Sequence, residues 1–407
     1  MDDTRYLRLF VFALFFFFGG ITSLNDVLIP KLKQLFTLSY GEVMTVQSAF
    51  FGAYLIISLP AAAIVRRIGY MRTAVLGLVF MLGGCLLFMP ASSAGVFQMF
   101  LIALFVAAAG ITIVQVVANP LISLLGPPAT VHSRLTFAQA FNSLGTMIFP
   151  YVGSKLILGA LATVDPTTLT GASLKSYRVQ ATHVIESTYL GLAVMLSVLA
   201  LCVWLYRNHL REQPADDSGW QETAALLRLP RFVYGAACIF LYVGAEVAIG
   251  SMMVSYLMQT NVLDLGQEAA GEHVPFYWGG AMVGRFIGAY LLRLLSPGKV
   301  LAAAATGVLT LLLISSHTAG AVSGWSLLAV GLCNSIMFPT IFSMASEGLG
   351  PREAAAASGI ICVAIVGGAV IPPLTGHLAD LIGLRGALFV PAICYAGIFA
   401  YGVRQKA

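Results

Sequence analysis

The sequence predicts an all-α polytopic membrane protein of twelve transmembrane helices in two six-helix halves. Three observations lead there. The 407 residues are 59% hydrophobic, with a mean hydropathy of +0.90. Only 10% are charged, against about 25% in soluble domains. The apolar residues also fall in runs of about 20, the length a helix needs to cross the hydrocarbon of a bilayer.

Read with that window, the chain gives spans near 9–30, 41–64, 73–91, 96–122, 135–160 and 187–207. A second set follows near 231–258, 273–295, 299–316, 324–346, 354–381 and 385–403. Between the sets, 209–230 contains Gln213-Pro214-Ala215-Asp216-Asp217-Ser218-Gly219 and reads as a cytoplasmic linker. It divides an N-terminal half, 1–208, from a C-terminal half, 231–407. The halves echo each other: Asn119-Pro120 precedes Gly126-Pro127 in span 4, and Phe338-Pro339 precedes Gly350-Pro351 in span 10. Six-plus-six repeats are typical of secondary transporters.

Basic residues set the expected orientation, because cytoplasmic loops carry an excess of Lys and Arg. One side carries Arg5, Arg8, Arg66, Arg67, Arg72, Arg134, Arg207, Arg211, Arg228, Arg231, Arg293, Lys299, Arg352, Arg404 and Lys406. The other carries Lys31, Lys33, Lys175, Arg178 and Arg385. Both termini are therefore expected in the cytoplasm, with the chain in a bacterial inner (plasma) membrane. The first apolar run lacks a small-residue cleavage signature and reads as a retained helix. Lipid is thus the expected surrounding partner, the chain is expected to be a monomer, and the +5 net charge reflects topology rather than nucleic-acid binding.

Several chemistries are disfavoured. Cys85, Cys202, Cys238, Cys333, Cys362 and Cys394 stand singly in apolar segments, with no CxxC pair and no His at ligand spacing, so no metal site or disulfide framework is expected. Gly126-Pro127 and Gly367-Gly368 lack the Lys-Ser/Thr of a phosphate loop. No GxSxG elbow or HExxH motif is present, so an enzyme is not expected and no cofactor is required.

The informative residues are the polar ones inside the spans, which fall at helical spacing. Thr22 and Asp26 share a face of span 1, flanked by Asn25. Gln47 and Tyr54 share one in span 2; Thr112, Gln115 and Asn119 make a stripe in span 4; Gln139, Asn142 or Ser143, and Thr146 do so in span 5. In the second half Tyr242 pairs with Glu246, Trp278 aligns with Met282 and Arg285, and Asn334 with Phe338. Amides match sugar hydroxyls because each hydroxyl both donates and accepts. Structural interhelical hydrogen bonding is the competing use of such amides.

Asp26 and Glu246 are costly inside a membrane, and intramembrane carboxylates mark ion or substrate pathways. Asp26 lies about 27 Å along the helix from Arg8, and Glu246 about 22 Å from Arg231, at helical rise. Asp26 fits an outer gate, a ligand for hydroxyls or a proton carrier. Either acid suits a proton or, with hydroxyl and carbonyl oxygens, Na⁺. Arg285 lies about 12 Å before Arg293, too deep to snorkel easily, and is the natural neutraliser of Glu246.

Taken together these segments resemble the L-fucose:proton symporter and glucose/galactose transporter branch of the major facilitator superfamily. Leu24-Asn25-Asp26-Val27-Leu28-Ile29-Pro30 is similar to helix 1 of that branch, and Val46-Gln47-Ser48-Ala49-Phe50-Phe51-Gly52-Ala53-Tyr54 to helix 2. Ala118-Asn119-Pro120 is similar to its helix 4 and Ala138-Gln139-Ala140-Phe141-Asn142-Ser143-Leu144-Gly145 to helix 5. Tyr242-Val243-Gly244-Ala245-Glu246, Val283-Gly284-Arg285-Phe286 and Phe338-Pro339-Thr340-Ile341-Phe342 carry the likeness into the second half.

The resemblance implies the major facilitator fold, alternating access and a sugar carried with a cation. It implies that Asp26 is a functional carboxylate and that Gln139 and Asn142 lie beside the sugar. One departure matters. The fucose type has a coupling glutamate at the position of Gln115, and an amide cannot carry a proton. Glu246 stands where the fucose type has an amide. The swap favours glucose, galactose or N-acetylglucosamine over fucose. The loop Arg66-Arg67-Ile68-Gly69-Tyr70-Met71-Arg72 also lacks the superfamily's usual aspartate.

The resulting expectation is a hexose symporter coupled to H⁺ in preference to Na⁺. Asn25, Gln47, Gln115, Asn119, Gln139, Asn142, Trp278 and Asn334 are expected at the sugar, and Asp26, Glu246 and Arg285 at the cation. The rivals are a metabolite or drug/proton antiporter, a fucose-specific symporter and a non-transporting sugar sensor.

Overall fold

The computed structural model describes residues 2–124, 131–158, 170–208, 225–345, 357 and 360–404. Every regular element among them is a helix. Backbone polar groups have no water to bond in hydrocarbon, and the helix satisfies them internally. Elements run α1 Asp2–Phe36, α2 Tyr40–Val43, α3 Thr45–Ile68, α4 Tyr70–Ala94, α5 Phe97–Leu124, α6 Val131–Gly153 and α7 Gly171–Leu205. They continue with α8 Pro230–Leu257, α9 Gln267–Leu294, α10 Pro297–His317, α11 Gly320–Asn334, α12 Met337–Ala345, α13 Gly367–Ala387 and α14 Phe389–Arg404. Because α2 with α3, and α11 with α12, each make one interrupted span, twelve segments result among the described residues. Nine are long and apolar enough to cross a membrane by length and composition. Of the others, α9 carries Glu268, Glu272 and Arg285, and α14 is short at 16 residues.

Local chemistry explains the interruptions. Span 10 breaks at Ser335-Ile336, where Pro339 has no N–H to offer the Ser335 carbonyl four residues back. Spans 11 and 12 part at Gly383, whose φ of 81° is left-handed and suits a residue without a Cβ. After Pro150, α6 continues as a π-helical turn, Ser154–Leu158. The start of α2 is fixed twice. Ser39 and Glu42 form a capping box. The Asp380 carboxylate also accepts the N–H groups of Tyr40 at 2.7 Å and Gly41 at 2.8 Å.

Some boundaries differ from the sequence reading. Span 6 begins at Gly171 rather than near 187, because its first turns carry Lys175, Arg178, His183 and Glu186 and fall below any apolar window. Lys175 and Arg178 are therefore helical rather than loop residues, and the Arg178 Nε donates to the Leu35 carbonyl at 3.1 Å. Lys31 and Lys33 likewise lie within α1, and Lys31 is only 1% exposed.

The helices cluster into two compact units. One holds the described residues of Met1–Leu38 and Gly52–Ala215, the other those of Ser39–Phe51 and Asp216–Ala407. Ser39–Phe51 groups with the later helices. In the first unit α1 packs on α6, and α4 on α5 and α7. In the second, α8 is central, touching α9, α11, α12, α13 and α14, while α2 packs on α13. Close approach of α11 to α9 needs Gly331, where a Cβ would collide with the Tyr277 carbonyl oxygen. Small residues at such crossings let helices approach without any hydrophobic drive.

Candidate functional site

In the first unit, α1 buries two neighbouring polar side chains, Asn25 at 0% and Asp26 at 3% exposure. Thr22, expected to share their role, turns its hydroxyl back to the Phe18 carbonyl at 2.7 Å. Neither amide atom of Asn25 has a hydrogen-bond partner among the described residues. Leaving a buried donor or acceptor unmade costs about 1–3 kcal/mol, so the fold tolerates here a group that packing alone would replace.

The other amides of that unit are less committed. Gln115 on α5 is half-buried, while Thr112 one turn earlier bonds back to the Ala108 carbonyl at 2.9 Å. The side chain of Asn119 lies outside the described residues. On α6, Gln139 and Asn142 are half-buried, and the Asn142 Nδ2 donates to the Phe15 carbonyl at 3.3 Å. Ser143, the alternative to Asn142, bonds to the Gln139 carbonyl at 3.2 Å.

The second unit holds a denser arrangement. The Tyr242 hydroxyl donates to Glu246 Oε1 at 2.6 Å across one turn of α8, and also stands 3.1 Å from the Asn334 carbonyl oxygen. Asn334, fully buried at the end of α11, donates through Nδ2 to the Tyr277 hydroxyl at 2.8 Å. It accepts through Oδ1 from the Tyr395 hydroxyl, also at 2.8 Å. The Tyr277 hydroxyl in turn donates to the Glu246 backbone carbonyl at 3.3 Å. Trp278 stands edge-on beside Tyr277, with centroids 5.0 Å apart. Arg285 is half-buried on the same helix. Gln47, from the stretch that groups with this unit, donates through Nε2 to Ser251 Oγ on α8 at 2.6 Å, and its buried Oε1 has no partner among the described residues.

The fold therefore brings Glu246, Asn334 and Trp278 into one neighbourhood, with Gln47 bonded to the same helix as Glu246. Asn25 and Asp26 lie on α1 and Gln139 and Asn142 on α6, which packs against it, but Asn142 meets α1 at Phe15 and Gly19, while the Asn25 end of α1 packs at Gly153. Tyr277, Tyr395 and Ser251 escaped the sequence reading. Tyr277 adjoins the selected Trp278, and a buried tyrosine hydroxyl needs a partner, which is the one signal that pointed to it. Tyr395 stands in an apolar run with no polar residue at helical spacing, and only tertiary packing identifies it.

A Major Facilitator Superfamily model matches residues 10–365. The chain is 47% identical over 397 residues to a glucose/galactose transporter of Brucella abortus, covering 96% of this chain and 92% of that one. It is 32% identical over 410 residues to the L-fucose-proton symporter of Escherichia coli, covering 96% and 90%. The crystal structure of FucP, a transporter of the same superfamily in the outward conformation, superposes with a TM-score of 0.74 at 29% identity, covering 100% of this chain and 99% of that one.

Proposed function

Because the chain belongs to the Major Facilitator Superfamily, a family of membrane transporters, we propose that it imports a hexose such as glucose, galactose or N-acetylglucosamine together with a cation. The observation that carries this reading is the end-to-end likeness to a relative named for glucose and galactose. The proton is the proposed ion, because the fucose relative is named for one.

The residues support it in two ways. The buried amide of Asn25 and the Oε1 of Gln47, which have no hydrogen-bond partner among the described residues, match the two-way hydrogen bonding of sugar hydroxyls. Gln115, Asn119, Gln139 and Asn142 add further amides, and Trp278 adds an aromatic face. Asp26 and Glu246 supply the carboxylates, with Arg285 modulating Glu246. Coupling is linkage: the cation favours the sugar-competent state, and bound sugar favours the ion by the same factor. The chain works as a monomer in a bacterial inner membrane, with both termini in the cytoplasm.

The test is uptake of radiolabelled glucose, galactose, fucose and N-acetylglucosamine into proteoliposomes under an imposed pH or Na⁺ gradient. Accumulation of glucose, galactose or N-acetylglucosamine driven by the pH gradient is the expected result. Accumulation of fucose alone would transfer the chain to the fucose type. No uptake under either gradient would favour an antiporter.

A further inference from the structure

We propose that Asn334 is a positioning residue rather than a sugar contact, and that Tyr242 passes the charge state of Glu246 to the break in span 10. The inference rests on Glu246 being a coupling carboxylate.

Both polar atoms of the Asn334 amide have a partner, Nδ2 on the Tyr277 hydroxyl and Oδ1 under the Tyr395 hydroxyl, both at 2.8 Å, in a residue with 0% exposure. At that burial a sugar hydroxyl would have to move a neighbouring side chain to reach it. The same residue offers its backbone carbonyl to Tyr242. Glu246 is gripped at both ends, by Tyr242 at the carboxylate and by Tyr277 at the backbone carbonyl. Two tyrosines, Tyr242 of α8 and Tyr277 of α9, thus join Asn334 on α11 to Glu246 on α8, and a third, Tyr395 of α14, holds the Asn334 amide.

Tyr242 is the movable member. Its hydroxyl has one proton and two acceptors, Glu246 Oε1 at 2.6 Å and the Asn334 carbonyl at 3.1 Å. An ionised Glu246 holds that proton, because hydrogen bonds to charged acceptors are the stronger kind. A protonated Glu246 releases it to the Asn334 carbonyl. That carbonyl is the last of α11 before Ser335-Ile336, where span 10 already lacks a continuous ladder. The charge on Glu246 therefore decides whether the end of α11 is tied to α8, and a broken helix is where such a tie changes conformation at least cost.

Other ionisable groups on these helices are Arg285 on α9, Cys333 on α11 and Cys394 on α14. The α12 segment has no titratable side chain, and those of α13 are His377, Asp380 and Arg385. Asp380 binds the start of α2, His377 faces Gly41, and Arg385 bonds to the Asn261 carbonyl.

The experiment compares two readouts in proteoliposomes: sugar counterflow without a gradient, and accumulation driven by a pH gradient across a range of pH. Tyr242→Phe and Tyr277→Phe are expected to keep counterflow KM within about twofold. Tyr242→Phe is expected to displace the pH midpoint of driven uptake by about one unit, the size of one lost hydrogen bond to a charged group. Asn334→Ala keeps the backbone carbonyl but frees Tyr277 and Tyr395, and is expected to displace it as well. In a Glu246→Gln background neither change has anything further to displace. A tenfold rise in counterflow KM with an unmoved midpoint would overturn the proposal in favour of sugar contact. An unmoved midpoint and KM in both variants would overturn it too. Normal driven uptake by Glu246→Gln alone would instead remove the underlying reading of Glu246. Variants that fail to fold are recognised by lost counterflow, and Tyr395→Phe, which removes one hydroxyl from the Asn334 amide, then takes their place.

Discussion

At the scale of single residues, the two intramembrane acids and one unpaired amide carry the functional argument. Asp26→Asn and Glu246→Gln remove charge with little change of volume. Each is expected to abolish concentrative uptake while protein levels stay near wild type; a variant that still accumulates sugar against its gradient would clear that acid of coupling. Asn25 separates function from stability more sharply. Its amide is buried and makes no hydrogen bond within the described chain, so folding gains little from it. Asn25→Ala is expected to leave the midpoint of thermal unfolding within a few degrees, because relief of the unpaired amide offsets the small cavity. Sugar KM is expected to rise about tenfold, equivalent to about 1.4 kcal/mol. Measuring both on one preparation decides whether Asn25 is retained for packing or for binding.

At the scale of elements, helix ends and crossings set what is rigid. The N-terminus of α2 is capped by its own Ser39 and by Asp380 from α13. A carboxylate at a helix N-terminus bonds free N–H groups and complements the helix dipole. Asp380→Ala is expected to lower the thermal stability of the detergent-solubilised protein by about 1 kcal/mol, and unchanged unfolding would show the cap to be idle. The crossing of α9 and α11 depends on Gly331, so Gly331→Ala is expected to cost about 1–3 kcal/mol through overpacking. It is also expected to disturb the bond from Asn334 to Tyr277 one turn further on, visible as a changed pH profile of uptake. The sequence reading ran span 10 through Pro339 without a break, which the structure places at Ser335-Ile336, and the cap from Asp380 joins residues about 340 apart in sequence and left no local mark.

At the scale of the whole molecule, apolar run length and the distribution of Lys and Arg make the largest statements. A green fluorescent protein fused after Ala407 is expected to fluoresce, and an alkaline phosphatase fusion there to be inactive; the reverse pattern would overturn the proposed orientation. The basic residues also show the limit of that reading. Lys31 and Arg178, taken as loop charges, belong to α1 and α7, because a hydropathy window ends where polarity begins and a helix does not.

The sequence by itself determined the membrane class, the helix count and the identity of the exceptional polar residues, which follow from composition and from periods of a few residues, local properties of a chain in hydrocarbon. The family was legible only through the resemblance of its motifs to known transporters. Tertiary structure alone decided which of those residues meet. It placed Asn334 under Tyr277 and Tyr395, set Tyr242 between two acceptors, left Asn25 without a hydrogen-bond partner among the described residues and grouped Ser39–Phe51 with the later helices. Such pairings depend on how helices distant in sequence rotate and cross, and that is fixed by close packing at positions such as Gly331 rather than by any spacing along the chain.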